Sequence, residues 1–168
     1  MRKLFCMVLI LCCLFGIVGC ASDPTVPENS AVVYYQREKA TYGADDSVIG
    51  ATYLDTEGRG KDYVFLLNKY FRTIPGEGFT SVFPKGVSLK SFKLEGLTAT
   101  VILSDKIADL SGMELTIALT CLTKTVMSVT GCHEVIISAY SKQLDGQKFI
   151  TLNRDRYLLV DNSGIPEN

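Results

Sequence analysis

Leu110-Ser111-Gly112-Met113-Glu114-Leu115, running on through residues 116–131, is the stretch whose reading decides the fold. Ser111 stands where a helix N-cap belongs and Glu114 follows three residues later, the spacing of a capping box, with Leu110 and Leu115 placed as a hydrophobic staple. Leu115, Ala118, Leu122, Val126 and Val129 then recur at helical intervals along one stripe, and Thr130-Gly131 supplies a glycine exit. A long helix is expected here, with one stripe turned to the core.

The flanks have a different period. Downstream, residues 135–140 read as a mostly apolar strand, Asp145-Gly146 as a hairpin turn and residues 148–152 as the return arm. Upstream, residues 87–94 and 97–104 flank Glu95-Gly96 as another hairpin, whose later arm turns Leu97, Ala99, Val101 and Leu103 inward and alternates them with Thr98, Thr100 and Ile102. Before that hairpin, Tyr63, Leu67, Tyr70 and Ile74, with Val64 and Phe71 beside them, mark a second helix that opens near Lys61 and is stopped by Pro75-Gly76. Residues 31–36 and 48–54 read as extended segments joined by a charged loop over residues 37–47, and residues 156–160 as a last short strand. Two helices with a hairpin between them predict an α+β two-layer sandwich, a mostly antiparallel or mixed sheet with both helices on one face.

Composition bounds what such a domain does. The chain has 168 residues, 17 Lys+Arg against 18 Asp+Glu and a single histidine, enough for one modest domain. Of its first 19 residues 15 are apolar, preceded by Arg2 and Lys3, so residues 1–19 have the form of a secretory signal with an h-region too short to span a bilayer comfortably. Without those two basic groups the net charge moves from -1 to near -3, too little field to gather phosphates, which argues against nucleic acid as a partner. Ile17-Val18-Gly19-Cys20 closes the apolar run and resembles the bacterial lipobox, in which small residues precede a cysteine that takes a diacylglyceryl group and becomes the new N-terminus. The expected organisation is a lipoprotein signal over residues 1–19, the lipidated Cys20 and a polar tether over residues 20–30, one domain over residues 31–160 and a tail over residues 161–168.

Of the six cysteines, Cys6, Cys12 and Cys13 fall in the signal and Cys20 takes the lipid, which leaves Cys121 and Cys132 in the domain. They are the one available disulfide pair, but one lies within the long helix and the other beyond its end, about 10 Å or more apart, so two buried free thiols are favoured. A nucleophilic Cys121 paired with His133 is conceivable, yet its place on the apolar side of the helix reads as a core thiol. His133 with neighbouring Cys132 and Glu134 is a poor metal set, because adjacent strand residues point to opposite faces. No G-x-S-x-G supplies a serine nucleophile, and Gly58-Arg59-Gly60 lacks the Lys-Ser/Thr of a phosphate loop, so it reads as a turn. Asp45-Asp46 with Asp55 and Glu57 read as solvated charge, without calcium-loop spacing.

Tyr34-Tyr35, Pro75-Gly76-Glu77-Gly78, the run from Ser81 to Leu89 containing Pro84-Lys85-Gly86, the hairpin from Lys93 to Val101 and the helix exit Gly131-Cys132-His133-Glu134-Val135 together resemble the GerMN domain. That family occurs in sporulation and spore-germination lipoproteins and in other Gram-positive envelope lipoproteins, and its domains resemble ring-building motifs. The resemblance implies a non-enzymatic module at the outer face of the cell membrane, working with a protein partner or by self-association, and carries over no cofactor and no catalytic residue. A lipid-anchored receptor for a small solute is the alternative. The loop over residues 75–86 and the adjoining hairpin edge are the expected contact, through Phe79, Phe83 and Lys85, although at least two of Phe79, Phe83 and Phe92 are also expected to fill the core below the hairpin.

Overall fold

The computed structural model describes residues 27–39 and 48–154. The signal segment, Cys20, most of the tether, the centre of the charged loop with Asp45-Asp46, the strand expected over residues 156–160 and the tail lie outside the described residues.

In chain order run β1 (Ser30–Arg37), β2 (Ile49–Asp55), α1 (Tyr63–Arg72), β3 (Phe79–Thr80), β4 (Leu89–Glu95), β5 (Thr98–Leu103), a 3-10 turn (Asp105–Asp109), α2 (Gly112–Thr130), β6 (Glu134–Ala139) and β7 (Ile150–Asn153). The fold is α+β, and its strands divide between two sheets rather than forming one. The larger has the order β4-β5-β6-β7 and is mixed, the smaller the order β2-β1-β3 and is antiparallel. β5 and β6 run parallel because the 3-10 turn and α2 between them make a crossover, whereas the hairpin β4-β5 and the pair β6-β7 are antiparallel.

Strict alternation positions the larger sheet. Ala99, Val101 and Leu103 of β5 and Val135, Ile137 and Ala139 of β6 are buried on one face, and Leu152 and Ile150 of β7 stand opposite Val135 and Ile137. Leu97, expected among the inward set, is instead exposed in the two-residue turn after Gly96, which takes a φ of 58°. Its backbone is what the fold uses: the Leu97 carbonyl accepts the N–H groups of His133 and Glu134 at 2.8 and 3.2 Å, tying the hairpin tip to the exit of α2.

α2 is buried nearly all round, not along one stripe, because it lies between the two sheets. Leu115, Ala118, Leu119, Leu122 and Val126 join the main core with the β5 and β6 residues, and Ile117 and Cys121 form a smaller cluster with Ile49 and the half-buried Tyr34, Val48 and Val82. Its threonines are therefore interior residues, and Thr116 and Thr120 return their hydroxyls to the carbonyls of Gly112 and Thr116. Gly131 ends the helix in the left-handed region, its N–H bonded to the Met127 carbonyl at 2.9 Å, as the sequence predicts. The start differs. Ser111 makes no side-chain cap, since Gly112 turns with a φ of 55°, and the Gly112 N–H is taken at 3.0 Å by the Asp145 carboxylate from the hairpin turn between β6 and β7.

α1 has the conventional amphipathic form. Leu66, Leu67 and Tyr70 are buried, and Asp62 caps the first turn by accepting the Phe65 N–H at 2.9 Å. Ile74, placed on the stripe by its spacing, lies past the helix end at Thr73 and is 89% exposed.

Together α1 and α2 close one edge of β1. The Tyr34 N–H donates to the Thr125 hydroxyl at 2.9 Å, and the Tyr34 carbonyl accepts from the Tyr70 phenol at 2.7 Å. The Tyr35 phenol in turn donates to the Tyr70 carbonyl at 3.1 Å, and the two rings lie 4.9 Å apart. β3 pairs with β1 only at Gln36 and Arg37, beyond the groups these side chains take. Burial pushes the Tyr35 phenol up to about 12 and raises Tyr70 as well, so both phenols stay protonated donors.

Candidate interaction surface

The loop over residues 75–86 turns its aromatic groups inward. Phe79 sits in β3 opposite Arg37, and its ring lies against Gly50 so closely that a Cβ there would come within 2.7 Å of it. Phe83 packs edge-on against Phe71 and Tyr70, with ring centroids 5.0 and 5.6 Å away. Phe92 meets Tyr63 edge-on, and all three Phe side chains rest against the main core, as expected of at least two of them. Of the three residues expected at a contact, Lys85 is the exposed one.

The candidate nucleophile is equally interior. Cys121 and Cys132 are both free and buried, and burial pushes the Cys121 thiol up to about 12, against a smaller opposing pull from Lys124. His133 is exposed while Cys132 beside it is buried, so the two face apart. Among the described residues no three His, Cys, Asp or Glu side chains come together to hold a metal ion, and no helix is long and apolar enough to cross a membrane. Arg59 of the Gly58-Arg59-Gly60 turn pairs with Asp62 and lies over the Phe65 ring, 3.9 Å from its centroid. Glu57, at the acidic turn, pairs with Lys69 at 2.6 Å.

What the domain turns outward is the second face of its larger sheet. The register aligns Lys93, Thr100, Ile136 and Thr151 in one row and Ser91, Ile102 and Ser138 in the next. Ile102 and Ile136 are half-buried and belong to neither hydrophobic cluster. Phe149 directly precedes β7 and Tyr140 directly follows β6; by alternation both extend this face, and they are 57% and 72% exposed. The sequence hid this pair, because Tyr140 reads as the last residue of an apolar strand and Phe149 as part of its return arm.

Tyr140 also borders a surface cleft of about 320 Å³ lined by Lys90, Ser104, Asp105, Lys106, Asp109 and Lys142. Asp105 holds its shape. The carboxylate accepts from the Ser141 hydroxyl, from the Ser141 N–H at 2.7 Å and from the Lys142 N–H at 3.1 Å, and these bonds, the hydroxyl's first, lower its pKa. Lys106 and Lys142 both pair with Asp109, at 3.3 and 3.7 Å, so most of the cleft's charge is met from within.

The domain is thus α+β with two open sheets, half-buried Ile102 and Ile136 beside exposed Tyr140 and Phe149 on one outer face, and a buried Cys121 thiol. Over residues 30–145 the chain matches the Germane family, described as sporulation and spore germination, and it belongs to that family. Its fold is similar to the tandem GerMN domains of the sporulation protein GerM from Bacillus subtilis, at 21% identity and a TM-score of 0.45 over 67% of this chain and 39% of that one. The first GerMN domain of the same protein is similar at 15% identity and a TM-score of 0.49, covering 68% of this chain and 85% of that one. A Clostridium perfringens protein provisionally assigned as a lipoprotein is similar at 14% identity and a TM-score of 0.44, over 76% of this chain and 89% of that one. The chain thus spans about 39% of the tandem-domain chain. No curated protein matches it in sequence.

Proposed function

We propose that this chain is a cell-envelope lipoprotein, held at the outer face of the membrane by a diacylglyceryl group on Cys20, whose domain binds another envelope protein in sporulation or germination and catalyses no reaction itself. Family membership supports the setting. Arg2, Lys3, the apolar run and the small residues before Cys20 support the anchor. The observation that carries the binding role is the outer face of the larger sheet, where Ile102 and Ile136 continue into the exposed Tyr140 and Phe149. Aromatic side chains flanked by small polar ones suit a protein contact, since they offer large area at small entropic cost. Lys85 lies on the exposed part of the loop first expected to make contact and is the second candidate contact.

The test is cross-linking and recovery of the full chain from envelopes of its own organism, with Tyr140→Ser and Phe149→Ser combined. Recovery of a protein partner is expected to fall several-fold while the melting midpoint of the variant stays near that of the parent. Undiminished recovery overturns this face as the contact. For the anchor, Cys20→Ala is expected to lose incorporation of a labelled lipid precursor and to leave the membrane fraction, and equal labelling in the variant overturns it.

A further inference from the structure

The smaller sheet carries an edge that its own register exposes. Tyr34 of β1 directs its N–H to Thr125 and its carbonyl to Tyr70, away from β2, while Arg37 directs its N–H to the Val48 carbonyl at 2.9 Å, toward β2. Backbone groups along a strand alternate in direction, and Ala51 is the residue opposite Tyr34. The N–H and C=O groups of Ala51, and of Tyr53 two residues on, therefore point out of the sheet. No other element pairs with β2 on that side among the described residues.

The other edges are guarded. β4 carries Lys90 and Lys93 and a register shift between Leu89 and Ser91, and β7 is four residues long. β2 pairs with β1 in unbroken register from Ile49 to Asp55, and between Ile49 and Leu54 it has no charge, no proline and no bulge.

We infer that β2 is a strand-addition edge and that its occupant is β2 of a second copy of this chain, paired antiparallel about a two-fold axis through Thr52. The register of this edge complements itself. With the axis at Thr52, Ala51 stands opposite Tyr53 of the second copy, and the reverse, so outward backbone groups meet outward backbone groups and each pair exchanges two N–H···O bonds. The exposed Tyr53 ring falls beside the small Ala51 side chain of the other copy, and Thr52 meets Thr52, a favourable cross-strand pair. Asp55 falls opposite Ile49, so no like charges face each other. An axis at Tyr53 stacks the two rings against each other, and one at Ala51 pairs two small side chains; the Thr52 axis uses both.

Oxidative cross-linking of the full chain in membranes tests this, with the unsubstituted chain measuring dimers from its own thiols. Thr52→Cys places two sulfurs on Cβ atoms about 4.5 Å apart across the axis, the spacing of a non-hydrogen-bonded pair and within disulfide reach, whereas Asp55→Cys leaves them about 20 Å apart along the strands. Dimer from Thr52→Cys is expected several-fold above both controls. Adding Ala51→Pro or Ala51→Lys is expected to return it to the control level, because the Ala51 N–H serves only the outer edge and β1 keeps its partner. Adding Tyr140→Ser and Phe149→Ser is expected to leave it unchanged, which separates this edge from the sheet face proposed above. Thr52→Cys dimer no greater than the controls overturns the inference, as does dimer that survives both Ala51 substitutions in a chain with an unaltered melt.

Discussion

The two helices of this domain obey different rules. α1 is assembled from its own neighbourhood: Asp62 caps it, Arg59 three residues before the cap pairs with that cap, and one face is buried while Val64 on the other is half exposed. α2 is assembled from a distance. Asp145, 33 residues away, takes its first N–H, Thr125 serves a strand 91 residues away, and the helix is buried nearly all round from Leu115 to Met127. Local chemistry therefore predicts the ends and faces of α1 and misjudges those of α2, so substitutions on α2 have effects that its sequence alone does not announce.

The sharpest case is a pair of threonines two residues apart. Thr125 accepts the Tyr34 N–H and also bonds the Tyr70 phenol, so Thr125→Val strands a buried donor; it is expected to cost about 2 kcal/mol and to lower the melting midpoint by several degrees. Thr123 is equally buried, and its hydroxyl has no hydrogen-bond partner among the described residues. Thr123→Val keeps the shape and removes an unmet polar group, so it is expected to raise stability by roughly 1 kcal/mol. Denaturant midpoints of the two variants decide the matter. If both fall by the same amount, the reading of α2 as an interior helix with position-specific threonines is broken.

The same contrast explains what the sequence disclosed. The hairpin of the larger sheet was legible because alternation is a property of consecutive residues, and Ala99, Val101 and Leu103 declare their face without reference to anything distant, whereas residues 135–140 showed only an apolar run. Gly131 was legible for the same reason, a helix exit being a local event. The division into two sheets was not, because it turns on Tyr34 meeting Thr125 and Tyr70 rather than on any pattern within β1. Phe79 and Phe83 were misleading as display residues since a loop rich in Gly and Pro looks open, yet Gly50 leaves a place for one ring and Phe71 a wall for the other. Tyr140 and Phe149 were overlooked because strand ends do not show in an apolar run.

The caps extend the comparison to pH. Asp145→Gly removes the acceptor for Gly112 while easing the left-handed turn at φ 44°, and it is expected to cost about 0.5 to 1 kcal/mol, detectable by a thermal melt. For α1, the Phe65 N–H and then Arg59 hold the Asp62 pKa below its ordinary value. A carboxylate lowered in the folded state adds stability that is fully present above the unfolded pKa, about 4, and is lost as pH falls through the folded value. Asp62→Asn is therefore expected to flatten part of the acid limb of a stability-against-pH curve, and Asp105→Asn, lowered first by the Ser141 hydroxyl, to flatten another part. A limb of unchanged steepness in both variants would show that neither carboxylate supplies it.

The smallest effect is expected at the residue that seemed most diagnostic. Ser111 and Glu114 have capping-box spacing, and replacing such a serine by alanine ordinarily costs about 1 kcal/mol. Here the Ser111 side chain makes no cap bond, and the left-handed Gly112 beside it carries the N–H that Asp145 receives. Ser111 is exposed and its hydroxyl caps nothing, so the stability of Ser111→Ala is expected within about 0.5 kcal/mol of the parent. The informative measurement is the double substitution with Asp145→Gly. If Asp145 alone serves the start of α2, the pair costs no more than Asp145→Gly by itself; if Ser111 can take over once Asp145 is gone, the pair costs more than the sum of the two single changes. The second outcome would restore the capping box as a latent device and make the start of α2 as local as that of α1.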